Sequence, residues 1–266
     1  MKSLFIASLI AVAIAATASA GPGDLLVAPT RAVLDRQTRT AEFTLMNKGD
    51  APATYRVEII HVRMQKHGEF ATSDEPSDAF ADALVQFSPH RVVLQPHATQ
   101  TVRVRLRPPA GPVAAERYLH LVFRGEPSAP ETAPDPAAGT SMRLSLTPVY
   151  GVAVPVIVRF EETHASVHID DLRLDAAGAA TFQLVRTGNR STYGDVAVTF
   201  TPRGGTPRAL AVAKGVSIYA PLGERSMTLP LRLPEGLALR AGSLQVSYAD
   251  AEEKGSSRET ATLVVP

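Results

Sequence analysis

The chain has 266 residues, of which 45% are hydrophobic and 20% charged, with 21 prolines, 18 glycines and no cysteine or tryptophan. This composition is that of a globular protein and excludes a disordered chain or a coiled coil. Without cysteine the chain cannot use disulfides, a thiolate nucleophile, a cysteine-ligated zinc ion or an iron–sulfur cluster. Its stability must therefore come from hydrophobic cores.

The first 20 residues have the pattern of a secretory signal peptide. Lys2 gives a positive start, an apolar run extends from Leu4 to Ala16, and Ala18-Ser19-Ala20 is a small-residue cleavage pattern. We therefore predict a signal peptide over residues 1–20 and a mature chain from Gly21. No later segment reaches about 18 uninterrupted apolar residues, so the protein is not expected to be membrane-inserted.

The charge balance does not favour a nucleic-acid partner. Lys2 is the only charged residue of the predicted signal peptide, so its removal leaves 26 basic residues against 26 acidic ones. A formal net charge of zero gives no broad basic surface for a phosphate backbone. No nucleic-acid binding is therefore expected.

Beyond residue 21 the apolar residues recur mostly with a period of two, which predicts β-strands separated by turns rich in Gly, Pro and Asn. In the first half the predicted strands cover 24–28, 30–35, 39–46, 53–63, 84–87, 91–94, 99–106, 116–124 and 142–160. In the second half they cover 165–174, 179–187, 194–201, 207–213, 216–220, 226–232, 242–249 and 258–265. Only the segment from Ser77 to Val85 suggests a helix, and a single turn in a loop is an equal interpretation.

The chain left after the signal peptide is too long for one small β-sandwich and suits two of about 100 residues each. The polar stretch Glu161-Glu162-Thr163-His164 follows an apolar run that ends at Phe160. We place the boundary there, which predicts an N-terminal immunoglobulin-like domain over 21–161 and a C-terminal β-sandwich domain over 162–266. The predicted fold class is all-β.

A long alternating strand follows a proline-rich loop. The segment from Glu126 to Thr140 holds four prolines and almost no bulky apolar residue, so we expect a mobile loop. From Met142 to Phe160 every second residue is apolar or proline, a run far longer than the usual strand of about five or six residues. Two interpretations remain open: its first half packs on its own core, or it lends a strand to an incomplete partner.

Several segments occur in a recognisable order in the first domain. They are Val27-Ala28-Pro29-Thr30-Arg31-Ala32-Val33-Leu34-Asp35, Asn47-Lys48-Gly49-Asp50, Phe87-Ser88-Pro89-His90-Arg91-Val92-Val93-Leu94-Gln95-Pro96, Gln100-Thr101-Val102-Arg103-Val104 and the long strand that ends Val156-Ile157-Val158-Arg159. In order and spacing they resemble the PapD-like periplasmic pilus chaperones of the chaperone–usher pathway. The second domain resembles this family in length and β pattern, and its Asn189-Arg190-Ser191-Thr192-Tyr193 is similar to the family's Asn-Pro-Thr-x-Tyr element.

The resemblance implies two immunoglobulin-like β-sandwich domains in a boomerang arrangement and a periplasmic location. It also implies that the long strand completes pilus or fimbrial subunits by donor-strand complementation, a form of β-augmentation. The subunits would then pass to an outer-membrane usher, and the chaperone would be monomeric when it carries one. The side chains expected to fill the subunit groove are Met142, Leu144, Leu146, Tyr150 and Val152.

In the family, an Arg on the first strand and a Lys on the long strand anchor the C-terminal carboxylate of the subunit. Arg31 matches the Arg, and a guanidinium can bind a carboxylate through two hydrogen bonds; the alternative is an ordinary surface charge. Pro155 stands where the Lys is expected, and no Lys lies between residues 142 and 160. Anchoring then depends on Arg31, with help from another cleft residue such as Arg159, or the chain holds its partner in a different way.

No catalytic, metal or cofactor site is predicted. His164 and His168 would lie about 13 Å apart on an extended strand, too far to share a zinc ion. Gly-x-Ser-x-Gly, Gly-x-x-x-x-Gly-Lys and Gly-x-Gly-x-x-Gly motifs do not occur in the sequence. We interpret Asn189-Arg190-Ser191, a glycosylation pattern, as an ordinary turn. The predicted function is a non-enzymatic periplasmic chaperone without a cofactor, and the alternative is a secreted structural or adhesive β-sandwich protein of a surface fibre.

Overall fold

A computed structural model describes residues 24–73, 82–107, 115–127, 148–252 and 258–266 of the chain. The predicted signal peptide, most of the proline-rich loop, and Met142, Leu144 and Leu146 lie outside the described residues. Within the described part almost all regular structure is strand, which confirms the all-β prediction. The same part contains no helix that is long and apolar enough to cross a membrane.

The first half of the chain forms a sandwich of two sheets. Its strands are β1 (Leu25–Ala28), β2 (Ala32–Leu34), β3 (Thr40–Asn47), β4 (Ala53–Ile60), β5 (Val62–Met64), β6 (Phe70–Thr72), β7 (Val85–Ser88), β8 (Arg91–Leu94), β9 (Thr99–Leu106), β10 (Glu116–Gly125) and β11 (Gly151–Arg159). One sheet has the order β1-β3-β9-β7 and the other β2-β11-β10-β4-β8, while β5 and β6 form a separate hairpin. Paired strands are antiparallel except β2 and β11, which run parallel. This arrangement is immunoglobulin-like.

The alternation seen in the sequence is the reason that these segments form strands. In β9 the residues with even numbers from Val102 to Leu106 are buried, and the two arginines between them are exposed. The inward residues of both sheets make one apolar core. In that core the rings of Phe43 and Phe123, both without solvent exposure, meet edge to face with centroids 6.1 Å apart, a favourable aromatic arrangement.

The second half of the chain forms a second sandwich with its own core. Its strands are β12 (Ala165–Leu174), β13 (Ala180–Gly188), β14 (Thr192–Pro202), β15 (Arg208–Ile218), β16 (Glu224–Leu229), β17 (Gly242–Asp250) and β18 (Arg258–Val265). The sheets have the orders β12-β13-β16 and β15-β14-β17-β18. Phe182, Phe200 and Tyr248 are buried between them, and the Tyr248 hydroxyl donates to the backbone oxygen of Val216 at 3.3 Å.

Several strands differ from their predicted ranges. The long strand predicted over 142–160 is extended only from Gly151 in the described part, because its neighbour β10 ends at Gly125 and has no residue opposite 148 and 149. The strand predicted over 53–63 divides into β4 and β5, since the chain leaves β10 after Ile60 to pair with β6. Of the predicted helix, the described residues 82–84 are helical.

Two predicted strands, 207–213 and 216–220, are instead one continuous strand, β15. The pairing of β14 with β15 shifts register between Gly194 and Val196, which is a β-bulge. Gly215 lies in this bulge with φ of 67°, and its N–H donates to the Asp195 carboxylate at 3.0 Å. The interruption predicted between 213 and 216 is therefore a bulge within one strand, and glycine accommodates the positive φ that it requires.

The β5–β6 hairpin connects the two sandwiches. Met64 belongs to one apolar cluster with Tyr219, which follows β15 in the second sandwich. The backbone N–H of Ser226 donates to the oxygen of Lys66 at 2.7 Å, and the Lys66 ammonium lies 2.5 Å from the Glu224 carboxylate. The hairpin therefore joins the sandwiches through apolar, backbone and ionic contacts at once.

His120 of β10 lies in an aromatic cluster at the same junction. Its ring centroid is 5.1 Å from that of Phe70, 5.9 Å from that of Tyr118 and 6.1 Å from that of Tyr219. Burial lowers the pKa of His120 to about 4, and its Nδ1 has no hydrogen-bond partner among the described residues. The imidazole is therefore neutral at neutral pH.

Acid should weaken the fold through His120. The unfolded chain protonates this residue below about pH 6.5, whereas the folded chain does so only near its pKa of about 4. Between these values the unfolded state binds more protons, so the free energy of unfolding falls as the pH falls, by up to about 3 kcal/mol from this group. Urea unfolding at a series of pH values should show that His120→Phe loses this component. His67→Gln, a change at an exposed histidine, should keep it, and an identical slope in both variants would contradict the assignment.

Candidate functional site

The first half of β11 is an open sheet edge. β11 pairs with β10 along its whole length. On its other side it pairs with β2, and that pairing covers only Val156–Val158. Residues 151–155 therefore have no strand beside them on that side among the residues that the structure describes. An edge of this kind can accept a further strand.

The backbone polarity of this edge follows from the hydrogen bonds at its two ends. The N–H of Gly125 donates to the oxygen of Tyr150 at 2.8 Å, and the N–H of Phe160 donates to the oxygen of Ala115 at 3.0 Å. In an antiparallel pair such bonding positions alternate, so the even-numbered residues of β11 bond to β10. Gly151, Ala153 and Pro155 therefore turn their backbone polar groups toward the open side, and Pro155 offers only a carbonyl there.

The core-facing side chains of β11 become exposed along the same stretch. Val156 and Val154 are buried, and Val152 is half-buried against the core of its own sandwich. Tyr150, two residues further, is 57% exposed. Of the predicted groove-filling residues, Val152 thus packs at the rim of its own core and Tyr150 extends beyond it. Met142, Leu144 and Leu146 lie outside the described residues.

Arg31 stands at the end of the open edge. It precedes β2, whose Ala32 is opposite Val156, so Arg31 comes next to Pro155 in register. Its Nη1 donates to Glu252 Oε1 at 2.5 Å, and its guanidinium carbon lies 4.7 Å from the centroid of the Tyr193 ring. Nε and Nη2 of Arg31 are buried and have no hydrogen-bond partner among the described residues. Donors in that state are costly unless a ligand accepts from them.

Arg31 is part of a largely buried ionic network between the two sandwiches, which we call the arginine cluster. It consists of Arg31, Arg159, Arg190, Glu116, Asp250 and Glu252. Arg159 lies 2.8 Å from both Glu116 and Glu252, and Arg190 lies 3.1 Å from Asp250 and 3.3 Å from Glu252. Three cations and three anions therefore balance within the cluster.

Arg186 adds a positive charge beside this balanced set. Its guanidinium donates to the backbone oxygens of Leu222, Gly188 and Arg190 at 3.0, 2.9 and 2.9 Å, and it forms no ion pair among the described residues. Burial lowers the pKa of Arg186, and the charge of Arg190 lowers it further against the opposing effect of Glu116. Together with Arg186 the arginine cluster has four cations and three anions, an excess of positive charge that favours a further carboxylate.

The predicted second anchor, Arg159, is already bound to two carboxylates of the protein. Burial lowers the pKa of Arg159, but the hydrogen bond to Glu116 and the charges of Glu252 and Glu116 outweigh this effect and raise the pKa. Its donors therefore serve the junction between the sandwiches. In Arg31, by contrast, Nε and Nη2 are buried without a hydrogen-bond partner among the described residues.

Sequence reasoning did not find the acidic members of the cluster. Glu116 accepts from the backbone N–H of Ser191 at 2.8 Å and from its hydroxyl, although 75 residues separate them. Ser191 and its neighbour Arg190 lie in the element noted from the sequence, so that element marked the position without revealing its partner. Glu252 follows the end of β17 in a polar stretch, and no local pattern distinguishes it there.

Comparisons with known proteins give structural likenesses only. No protein-family model and no curated protein matches the chain. Similar solved structures include the YadV chaperone, which is 14% identical over 90% of this chain and 100% of that chain, with a TM-score of 0.48. The Pseudomonas aeruginosa CupB2 chaperone is 12% identical over 91% of this chain and 100% of that chain, with a TM-score of 0.47. A chain in the complex of the Salmonella enterica SafA pilin with the SafB chaperone is 12% identical over 91% of this chain and 97% of that chain, with a TM-score of 0.47.

Two of these structures are of chaperones alone, and the third is of a chaperone in complex with a pilin. Identities and TM-scores at this level do not assign a function to the chain.

Glu116 should contribute far more to stability than an exposed ion pair at the same junction. Glu116→Ala removes the acceptor of Ser191 and leaves Arg159 buried with one carboxylate fewer, so it should lower the free energy of unfolding by about 3 to 5 kcal/mol. Glu224→Ala breaks the Lys66–Glu224 pair, whose side chains are 46% and 44% exposed, and should cost less than about 1 kcal/mol. Urea unfolding followed by circular dichroism compares the two variants. Equal losses would show that the buried network does not hold the sandwiches together.

Proposed function

We propose that the chain is a periplasmic chaperone that binds pilus or fimbrial subunits by adding its β11 edge to their incomplete sheet and delivers them to an outer-membrane usher. The proposal includes a domain boundary after residue 161 and a monomeric state when a subunit is bound. It assigns the chain a binding role without catalysis. The observation that carries it is a strand edge that has no neighbour among the described residues and ends at an arginine whose Nε and Nη2 lack an acceptor in the same part of the chain.

The position of β2 supports a definite orientation for the bound strand. A partner strand beside residues 151–155 would lie in line with β2, which runs parallel to β11. The end of that partner strand nearest Pro155 would meet Arg31. A guanidinium with free donors selects a carboxylate there over an ammonium group, so the partner's C-terminus belongs at that end. The partner strand therefore runs parallel to β11.

Three kinds of contact supply affinity in this arrangement. The outward N–H groups of Gly151 and Ala153 and the carbonyls of 151, 153 and 155 can pair with the partner's backbone regardless of its sequence. The Nε and Nη2 donors of Arg31 can bind the terminal carboxylate through two parallel hydrogen bonds. The exposed Tyr150 and the half-buried Val152 continue the apolar row of the chaperone core toward the partner, and burying such side chains adds a hydrophobic contribution.

Removing one outward N–H should weaken partner binding without harming the fold. Ala153→Pro eliminates a donor on the open side and leaves the bonds to β10 in place, because proline is tolerated on a strand edge. Val93→Pro is the matched control, since the bond from Val57 N–H to His90 O places Val93 at an outward position of β8, on the opposite edge of the same sheet. Co-expression with pilin-like proteins of the same genome, followed by co-purification, should recover a subunit with wild type and Val93→Pro. Recovery should fail with Ala153→Pro.

Loss of the subunit from both proline variants would contradict a role specific to β11. Concentration-dependent oligomers of the chain alone, abolished by Ala153→Pro, would instead favour a structural protein of a surface fibre. Thermal unfolding of each variant checks that both sandwiches remain folded. These outcomes separate the proposal from its alternative.

Arg31→Ala should weaken subunit binding by roughly 2 to 5 kcal/mol, because the partner's carboxylate would lose a buried charged donor. Arg31→Lys should restore only part of the affinity, since a lysine lacks the planar two-donor edge. Calorimetry with a subunit's C-terminal peptide, either as the free acid or amidated, measures both effects. Amidation should weaken binding to wild type and leave binding to Arg31→Ala unchanged, because both changes remove the same interaction. Additive losses would show that the strand alone holds the partner.

A further inference from the structure

The guanidinium of Arg31 is held on two of its sides by the second sandwich. Building on the function proposed above, we infer that Glu252 and Tyr193 are positioning residues. They fix the guanidinium so that its Nε–Nη2 edge is presented to the partner's carboxylate.

Glu252 binds only one nitrogen of the Arg31 guanidinium, Nη1. Its Oε1 accepts from Nη1 of Arg31 at 2.5 Å, while its Oε2 lies 2.8 Å from Nη2 of Arg159 and 3.3 Å from Nη1 of Arg190. Because the second oxygen is engaged by other arginines, Glu252 does not form the two-bond arrangement that a carboxylate usually makes with arginine. The edge formed by Nε and Nη2 is left without an acceptor among the described residues.

The Tyr193 ring packs against the flat face of the Arg31 guanidinium. Its ring centroid lies 4.7 Å from the guanidinium carbon of Arg31, within the distance of a cation–π contact. The ring passes over Gly215, where a Cβ atom would lie 3.0 Å from the Tyr193 hydroxyl. A side chain at this position would crowd the ring, so the glycine of the β15 bulge leaves room for Tyr193 where it lies.

Local hydrogen bonds hold the two positioning residues, Tyr193 and Glu252, next to each other. The N–H of Ala251 donates to the backbone oxygen of Tyr193 at 2.8 Å, and the N–H of Glu252 donates to the Asp250 carboxylate at 2.9 Å. The turn after β17 therefore places both contacts on Arg31 together. An arginine ordered before binding loses less side-chain entropy when the partner arrives. This smaller entropy loss is important here because Pro155 supplies no second cation at this end of the edge.

The test uses acetate as the carboxylate probe and the mature chain as the protein. Acetate is titrated while the Nε–H signal of Arg31 is followed by NMR. Glu252→Ala and Tyr193→Leu should each require about tenfold more acetate for half-saturation, which is the scale found when groups that orient a binding residue are removed. Glu252→Gln keeps an acceptor for Nη1 and should bind acetate at least as well as wild type. Glu224→Ala, which removes a carboxylate from the same junction without touching Arg31, should match wild type.

Either of two results would overturn the inference. If Glu252→Ala and Glu252→Gln both bind acetate more tightly, Glu252 competes with the ligand and the inference is overturned. The absence of any acetate effect on Arg31 in wild type would overturn it as well. If acetate behaves as expected but no subunit peptide binds wild type, the proposed function fails while the positioning of Arg31 stands.

Discussion

Three residues of parallel pairing, Val156–Val158 of β11 beside Ala32–Leu34 of β2, determine where the candidate site lies. Because β2 is so short, it covers one half of β11 and leaves the other half open. Because it is parallel, the residue just before it, Arg31, comes to the end of the open half. A longer β2 would close the edge, and an antiparallel one would remove Arg31 from it. The open edge and the position of Arg31 at its end are therefore consequences of a single local pairing.

The junction between the sandwiches determines what Arg31 can do. A buried network of ions is a weak source of stability, since each charge loses its hydration, but it requires a definite geometry. The arginine cluster meets that requirement through Glu116, which binds both Arg159 and Ser191, and through Glu252, which contacts three arginines. The hairpin and the aromatic residues around His120 add an apolar contact beside it. A defined angle between the sandwiches follows, and with it a defined position for the Arg31 guanidinium.

Local patterns predicted most of the strands, missed β6 and the exact bounds of β11 and β15, and did not predict the junction. The period of two places the strands because it reports which face of each segment is buried, as in β9. The same signal could not show that Gly215 forms a bulge, since a glycine within an apolar run is compatible with either a turn or a bulge. The motif that identified Arg31 contains no information about Glu252, which is 221 residues away in sequence. Contacts of that separation depend on how two finished sandwiches meet.

Pro155, which interrupts the row of outward N–H groups, has a consequence for the choice of partners. In the proposed function, a partner strand beside β11 would meet an N–H donor at Ala153, none at Pro155, and then the guanidinium of Arg31 at its C-terminus. Sliding by one residue would turn every side chain to the wrong face, and sliding by two would separate the terminal carboxylate from Arg31. The site would thus select partners by the number of residues between their inserted side chains and their C-terminus. Diverse sequences could be accepted, provided that their inserted side chains fall at the same count from the C-terminus.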